Sequence, residues 1–161
     1  MDEKILRAFN EQIQAEFYSA YMYLAMSISM ETKNLKGMAH WLYKQYEEER
    51  GHALRLMKFV QERGETPELL TIEMPPAEYG CPLELFTKVL AHEKYVTERI
   101  RALYELALEH KDYAAQNHLQ WFIDEQVEEE ASAAEIAAKL ELIGENMGGI
   151  FIVDSQLAAR K

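Results

Sequence analysis

Apolar residues recur at alternating spacings of three and four along most of the chain, which is the signal of amphipathic helices with one buried stripe. Leu6, Phe9, Ile13, Ala20 and Tyr23 lie on such a stripe among Glu3, Arg7 and Gln14, predicting a first helix, α1, from about 3 to 31. Thr32-Lys33-Asn34 interrupts it. After Gly37 a second stripe through Met38, Leu42, Leu56 and Phe59 predicts α2, to about Arg63. So short a link makes α1 and α2 antiparallel neighbours. Gly64 to Pro82 holds Pro67, Pro75, Pro76, Gly80 and Pro82, too many breakers for a helix. A helix of about 28 residues is ~42 Å long, and about 18 extended residues can reach ~60 Å. The segment can therefore return along the whole length of α2, leaving the helices on either side of it parallel. Phe86, Val89, Val96, Ile100 and Leu103 predict α3 from about Leu83 to His110. Lys111-Asp112-Tyr113 is a short turn into α4, which runs through Leu119, Phe122, Ile136 and Leu140 to about Ile143 and ends at a glycine-rich stop. An apolar tail, Ile150 to Ala159, suggests a short fifth helix, α5. The expected architecture is all-α: a four-helix bundle with a long crossover between α2 and α3 and a short C-terminal helix, as one domain over residues 1–161.

Composition narrows the function. With 17 basic and 28 acidic side chains the 161-residue chain carries a formal charge of −11, which excludes phosphate neutralisation as a mode of nucleic-acid binding and favours cations as partners. A single cysteine, Cys81, permits neither an intrachain disulfide nor a thiolate metal site. No apolar run approaches the roughly 20 residues that span a bilayer. The N-terminus lacks the basic start and apolar stretch of a signal peptide, so no membrane association and a cytoplasmic location are expected.

Extending each stripe strictly shows where polar residues break it. The interruptions are Glu16 on α1, Gln45, Glu49 and His52 on α2, Glu93 on α3, and Gln126 and Glu129 on α4. Each lies close to its helix midpoint. Helices of similar length packed side by side bring their midpoints to one level, so Glu16, Glu49, His52, Glu93, Gln126 and Glu129, four carboxylates, an imidazole and an amide, should meet inside the bundle. Carboxylates crowded away from water must protonate or hold cations. Carboxylate oxygen with one histidine nitrogen suits iron or manganese better than a soft metal. The competing explanation is a metal-free hydrogen-bond network that fixes helix register.

The Glu-x-x-His of Glu49 and His52, one Glu each on α1 and α3, and a second pair on α4 form the di-iron carboxylate arrangement of ferritin-like bundles. With Asn10-Glu11-Gln12, Glu16-Phe17-Tyr18, the run Glu47 to His52, His92-Glu93, and Trp121 to Glu130, nearly the whole chain resembles a bacterial or archaeal non-haem ferritin. Bacterioferritins and rubrerythrins carry a second Glu-x-x-His on the last bundle helix, where this chain has Gln126-Val127-Glu128-Glu129. It also has Arg50 where a haem-ligating methionine would stand, so no haem is expected.

The resemblance implies an iron-storage protein and ferroxidase that oxidises Fe(II) with dioxygen and deposits ferric oxide in a hollow shell of twenty-four copies. It implies that Glu16, Glu49 and His52 hold a first iron, with Glu49 bridging to a second held by Glu93 and Glu129, and Gln126 beside it. Glu48, Glu125 and Glu128 resemble the third iron site of prokaryotic ferritins, with Glu129 open to sharing between the sites, and a solvated charge run is the alternative. Tyr23 resembles the tyrosine beside the di-iron centre, as electron donor or as plain core. His40, His92, His110 and His118 lack a carboxylate seam and are expected at the surface. Trp41 and Trp121 are expected to pack between helices or at subunit contacts. Gln116 and Leu119 stand where animal ferritins carry channel acids, which leaves the iron access route open, and Glu47 and Glu48 are the better nucleation candidates. A non-storage di-iron or di-manganese oxidase or peroxidase is the rival function.

Overall fold

The computed structural model describes all of residues 1–161. Helices α1 (Glu3–Thr32), α2 (Lys36–Glu62), α3 (Pro82–Glu109), α4 (Tyr113–Ile143) and α5 (Met147–Leu157) follow one another without any strand, so the helical periodicity places each element within about three residues of its ends. Asp2 caps α1 by accepting from the Lys4 N–H at 2.8 Å, and Asp112 caps α4 by accepting from the Ala115 N–H at 3.0 Å. Each satisfies an amide that has no partner within the helix. Cys81 caps α3 together with Glu84, whose carboxylate accepts from the Cys81 N–H at 2.7 Å.

The crossover between α2 and α3 runs beside α1 from end to end. The Met1 ammonium donates to Glu65 at 2.9 Å, the Glu68 N–H to Asn10 Oδ1 at 3.1 Å, and Gln14 Nε2 to the Thr71 carbonyl at 3.2 Å, while Lys33 reaches the Gly80 carbonyl. This ordered sequence of contacts makes α2 and α3 parallel, as the reach argument requires. At the lower end Arg63 clasps Asp112 through two bonds of 2.8 and 3.0 Å, fastening the end of α2 to the start of α4.

Helix α5 closes the upper end. No side chain of its own segment caps α2, and Asp154 of α5 supplies that bond instead, accepting from the Met38 N–H at 2.8 Å. Gly37 permits the approach, because a Cβ there would stand 1.7 Å from the Asp154 carbonyl oxygen. Gly37 is therefore a packing glycine, a role that only the partner helix reveals.

The apolar interior is divided in two. Tyr23, Met26, Met38, Leu42, Phe86, Val89 and Ile136 belong to an upper cluster. Ile5, Phe9, Ile13, Leu56, Val96, Ile100 and Phe122 belong to a lower one. Between them lies the polar layer. The four histidines outside the seam are not simple surface residues: all are partly buried. His92 meets Ser19 Oγ at 2.7 Å, His40 meets the Arg160 carbonyl at 2.7 Å, His110 approaches Asp2 at 3.3 Å and His118 stacks on Phe59 at 4.1 Å. Three of these imidazoles find a polar partner, whereas His118 covers the Phe59 ring and keeps its Nε2 buried without one, and periodicity registers neither arrangement. Leu119 is likewise fully buried in the lower cluster and lines no channel. Trp41 packs edge-on against Phe86 across helices, with ring centres 5.5 Å apart.

Candidate metal centre

All six seam residues singled out as a layer are buried: Glu16, Glu49, His52, Glu93, Gln126 and Glu129. Their helices deliver them to one level because each residue sits near mid-helix on the inward stripe. One ligand atom each of Glu16, Glu49 and His52 lies within 4.8 Å of the others, and His52, Glu125 and Glu129 form a second such group. His52 thus stands between two carboxylate pairs. Its ring is held edge-on by Trp121 and Phe122, at 5.4 and 5.8 Å between centres, and Nδ1 faces Glu49 Oε2 at 3.4 Å.

Glu93 joins neither group. The Tyr23 hydroxyl donates to its Oε1, and Gln126 Nε2 donates to its Oε2 at 3.2 Å. Glu48 and Glu128 also stand outside both groups and are exposed. Glu48 is paired with Arg160 at 2.5 Å, and Glu47 with Lys44 at 2.8 Å. Of the three acids associated with a third site, Glu125 alone reaches the layer.

Several contributors escaped the seam rule. Gln12 Nε2 donates to Glu16 Oε1 at 2.8 Å, and Gln45, already on the seam, donates to Glu129 Oε2 at 2.8 Å. Thr97 accepts from Gln126 at 3.3 Å and donates to Glu130 at 2.6 Å. Gln12 and Thr97 each sit four residues from a seam acid, on the same helix face. That spacing was the available signal.

The electrostatics follow from burial and crowding. Burial is the largest influence on Glu49 and pushes its carboxyl well above the usual range; the neighbouring charges of Glu93, Glu16 and Glu129 push the same way. Burial raises Glu93 to about 7 although Tyr23 and Gln126 donate to it. It raises Glu129 to about 7 as well, with the Glu93 charge adding and the Gln45 bond opposing. Tyr23 is held as a neutral phenol, first by burial and then by the Glu93 charge.

Against this, the layer's hydrogen bonds are incomplete. Both carboxylate oxygens of Glu49, Oε2 of Glu16 and Oε1 of Gln45 are buried without a hydrogen-bond partner. A register-fixing network would leave none of them bare, because an unpaired buried polar atom costs about 1–3 kcal/mol. Bare carboxyl oxygens converging with an imidazole fit a divalent cation, and hard oxygen donors with a single nitrogen favour iron or manganese.

The ferritin-like domain family matches residues 6–143. The chain belongs to the ferritin family. It is 42% identical over 160 residues to a bacterial non-heme ferritin of Bacteroides fragilis (strain 638R), covering 99% of both chains. A bacterial non-heme ferritin of Staphylococcus epidermidis (strain ATCC 35984) is 37% identical, covering 99% of this chain and 96% of the relative. An open pore ferritin from the hyperthermophilic archaeon Archaeoglobus fulgidus superposes with a TM-score of 0.99 at 45% identity, covering 100% of this chain and 99% of that one. An engineered closed form of the A. fulgidus ferritin gives 0.98 at the same identity. Within the ferritin family, the bundle, the crossover and the short fifth helix are thus the fold of this chain over its full length.

Proposed function

We propose that this chain is an iron-storage ferritin subunit, one ferritin-like domain whose buried carboxylate layer is a ferroxidase centre. The observation that carries the reading is the set of bare oxygens on Glu49 and Glu16 converging with His52 inside a protein interior. Glu16, Glu49 and His52 hold a first Fe(II), and Glu49 bridges to a second at Glu93 and Glu129. Both ions are substrate. Carboxylates suit the work because they bind Fe(II) and stabilise Fe(III) still more, while changing between terminal and bridging modes. Acids poised near 7 or above hold protons when no cation is present and release them when one binds. Dioxygen takes one electron from each of the two Fe(II) ions and, with two protons, leaves as hydrogen peroxide, while the two Fe(III) ions are hydrolysed by water, with release of protons, and leave the layer as hydrated oxide.

Gln126 orients what binds beside Glu93 without adding negative charge. The Tyr23 hydroxyl positions Glu93 and is the nearest oxidisable side chain to it. Glu125, with His52 and Glu129, is the member of the third-site group placed to receive an ion beyond the pair. Storage requires an enclosed volume, and the family resemblance supports a shell of twenty-four subunits. The exposed apolar side chains of Ile28, Leu142, Phe151 and Ile152 give an isolated subunit surface that such assembly would cover. Addition of Fe(II) in air to the purified chain, with particle mass and ferric absorbance followed together, tests the whole reading. A shell-sized particle that gains an electron-dense core is the expected result; a small soluble oxidase with no retained iron would instead support a non-storage bundle enzyme.

A further inference from the structure

Glu16 is reached by a chain of hydrogen bonds that begins outside the polar layer, on α3. Arg99 donates from Nε to Gln12 Oε1 at 3.1 Å, and Gln12 donates from Nε2 to Glu16 Oε1 at 2.8 Å. Arg99 is itself held at two further points, donating from Nη2 to the Glu11 carbonyl at 3.0 Å and from Nη1 to the Tyr95 hydroxyl at 3.3 Å. Gln12 and Glu16 are each 1% exposed, whereas Arg99 is half-buried. A partly exposed guanidinium of α3 is thus tied to α1, one side chain away from the layer.

The direction of this chain is forced. A guanidinium only donates, so the Gln12 oxygen must face Arg99 and the amide NH2 must face Glu16. Turned the other way, the amide would set donor against donor at Arg99. One Glu16 oxygen is thereby occupied, and the other, Oε2, is buried with no hydrogen-bond partner in a residue grouped with Glu49 and His52. The intervening amide also matters for charge. A cation bonded directly to Glu16 would compete with a metal ion for it, whereas neutral Gln12 passes on the orientation and keeps the positive charge at a distance.

We infer that Arg99 is a positioning residue for the first metal position: it orients the Gln12 amide, which holds Glu16 so that Oε2 is the oxygen left for a cation shared with Glu49 and His52. The inference rests on the ferroxidase reading for the purpose of that position, and the hydrogen-bond chain can be tested apart from it. The sign of the effect is diagnostic. As a bare positive charge Arg99 repels a dication, and its removal would tighten binding. As the anchor of Gln12, its removal weakens binding, and support of a metal ligand of this kind is worth about ten- to a hundredfold in affinity.

Anaerobic Co(II) titration of the full-length assembled protein, with the occupied position identified by anomalous scattering, tests this. Arg99→Leu should weaken Co(II) binding at Glu16, Glu49 and His52 by about tenfold or more. Gln12→Met should weaken it equally, and the double variant should be no weaker than either alone, because the two side chains act as one unit. Arg99→Lys keeps a donor for Gln12 Oε1 and should restore most of the affinity. Unchanged or tighter binding in Arg99→Leu overturns the proposal, as do additive losses in the double variant. If Arg99→Leu does not assemble, Gln12→Met decides, and parental affinity there overturns the proposal. Crystals of metal-free Gln12→Met supply a second readout: the Glu16 carboxyl should leave its parental orientation, and an unchanged orientation also overturns the chain. A parent protein that binds no Co(II) at these three residues refutes the ferroxidase reading instead, and the Glu16 orientation still decides whether Gln12 positions it.

Discussion

Replacing Glu129 by leucine tests the physical claim that the metal-free layer burdens the fold. Glu129 is buried and accepts one bond, from Gln45 at 2.8 Å. Its carboxyl rises from 4.5 to about 7, chiefly through burial, which corresponds to about 3 kcal/mol of disfavoured ionisation. The sign follows from proton counting. Between 4.5 and about 7 the folded chain holds a proton that the unfolded chain has released, so stability falls as pH rises through this window and then levels off. Leucine removes that dependence and adds about 1.5–3 kcal/mol of apolar burial. It also strips Gln45 of its acceptor, a loss of about 1–3 kcal/mol, so the last two contributions roughly cancel. Glu129→Leu should therefore match the parent near pH 4.5 and exceed it by about 3 kcal/mol at pH 8. Guanidinium unfolding of metal-free, dissociated subunits at pH 4.5, 6.5 and 8 reads this directly. Equal stabilities at pH 8, or a variant clearly weaker there, would refute the reasoning and restore the layer as a satisfied structural network.

Glu49→Ala and His52→Ala should assemble normally and lose initial Fe(II) oxidation by about tenfold or more, at least the loss seen when metal-ligand supports are removed; wild-type rates in both would sink the di-iron assignment. Glu125→Ala should abolish a third bound metal, visible by anomalous scattering, while Glu128→Ala keeps it, because only Glu125 reaches His52 and Glu129. Gly37→Ala should displace α5 and release the Asp154 cap, lowering stability by about 1–3 kcal/mol and exposing the C-terminal segment to protease. An unchanged melting temperature and digestion pattern would show that the close approach at Gly37 is not needed.

The bundle was legible because its information is periodic and local. A helix buries one stripe, so spacing alone located the four long elements, and breakers alone located the crossover. The same logic located Glu16, Glu49, His52, Glu93, Gln126 and Glu129, since an acid on an apolar stripe at mid-helix has nowhere to go except the interior. The periodicity also determined that α1 and α2, and α3 and α4, are neighbours, through links too short for anything else.

Tertiary structure decided whatever depends on a residue's partner in another segment. Sequence could not tell that Arg160, from beyond α5, pairs with Glu48, or that Asp154 caps α2 across Gly37. It could not tell that Glu93 turns to Tyr23 and Gln126 while Glu125 turns to His52, because spacing gives the helix face a side chain occupies and not which neighbour it meets there. The partial burial of the four outlying histidines escaped for the same reason: an imidazole is polar by composition, and only the packing around it shows whether its ring or its nitrogen faces the helix alongside.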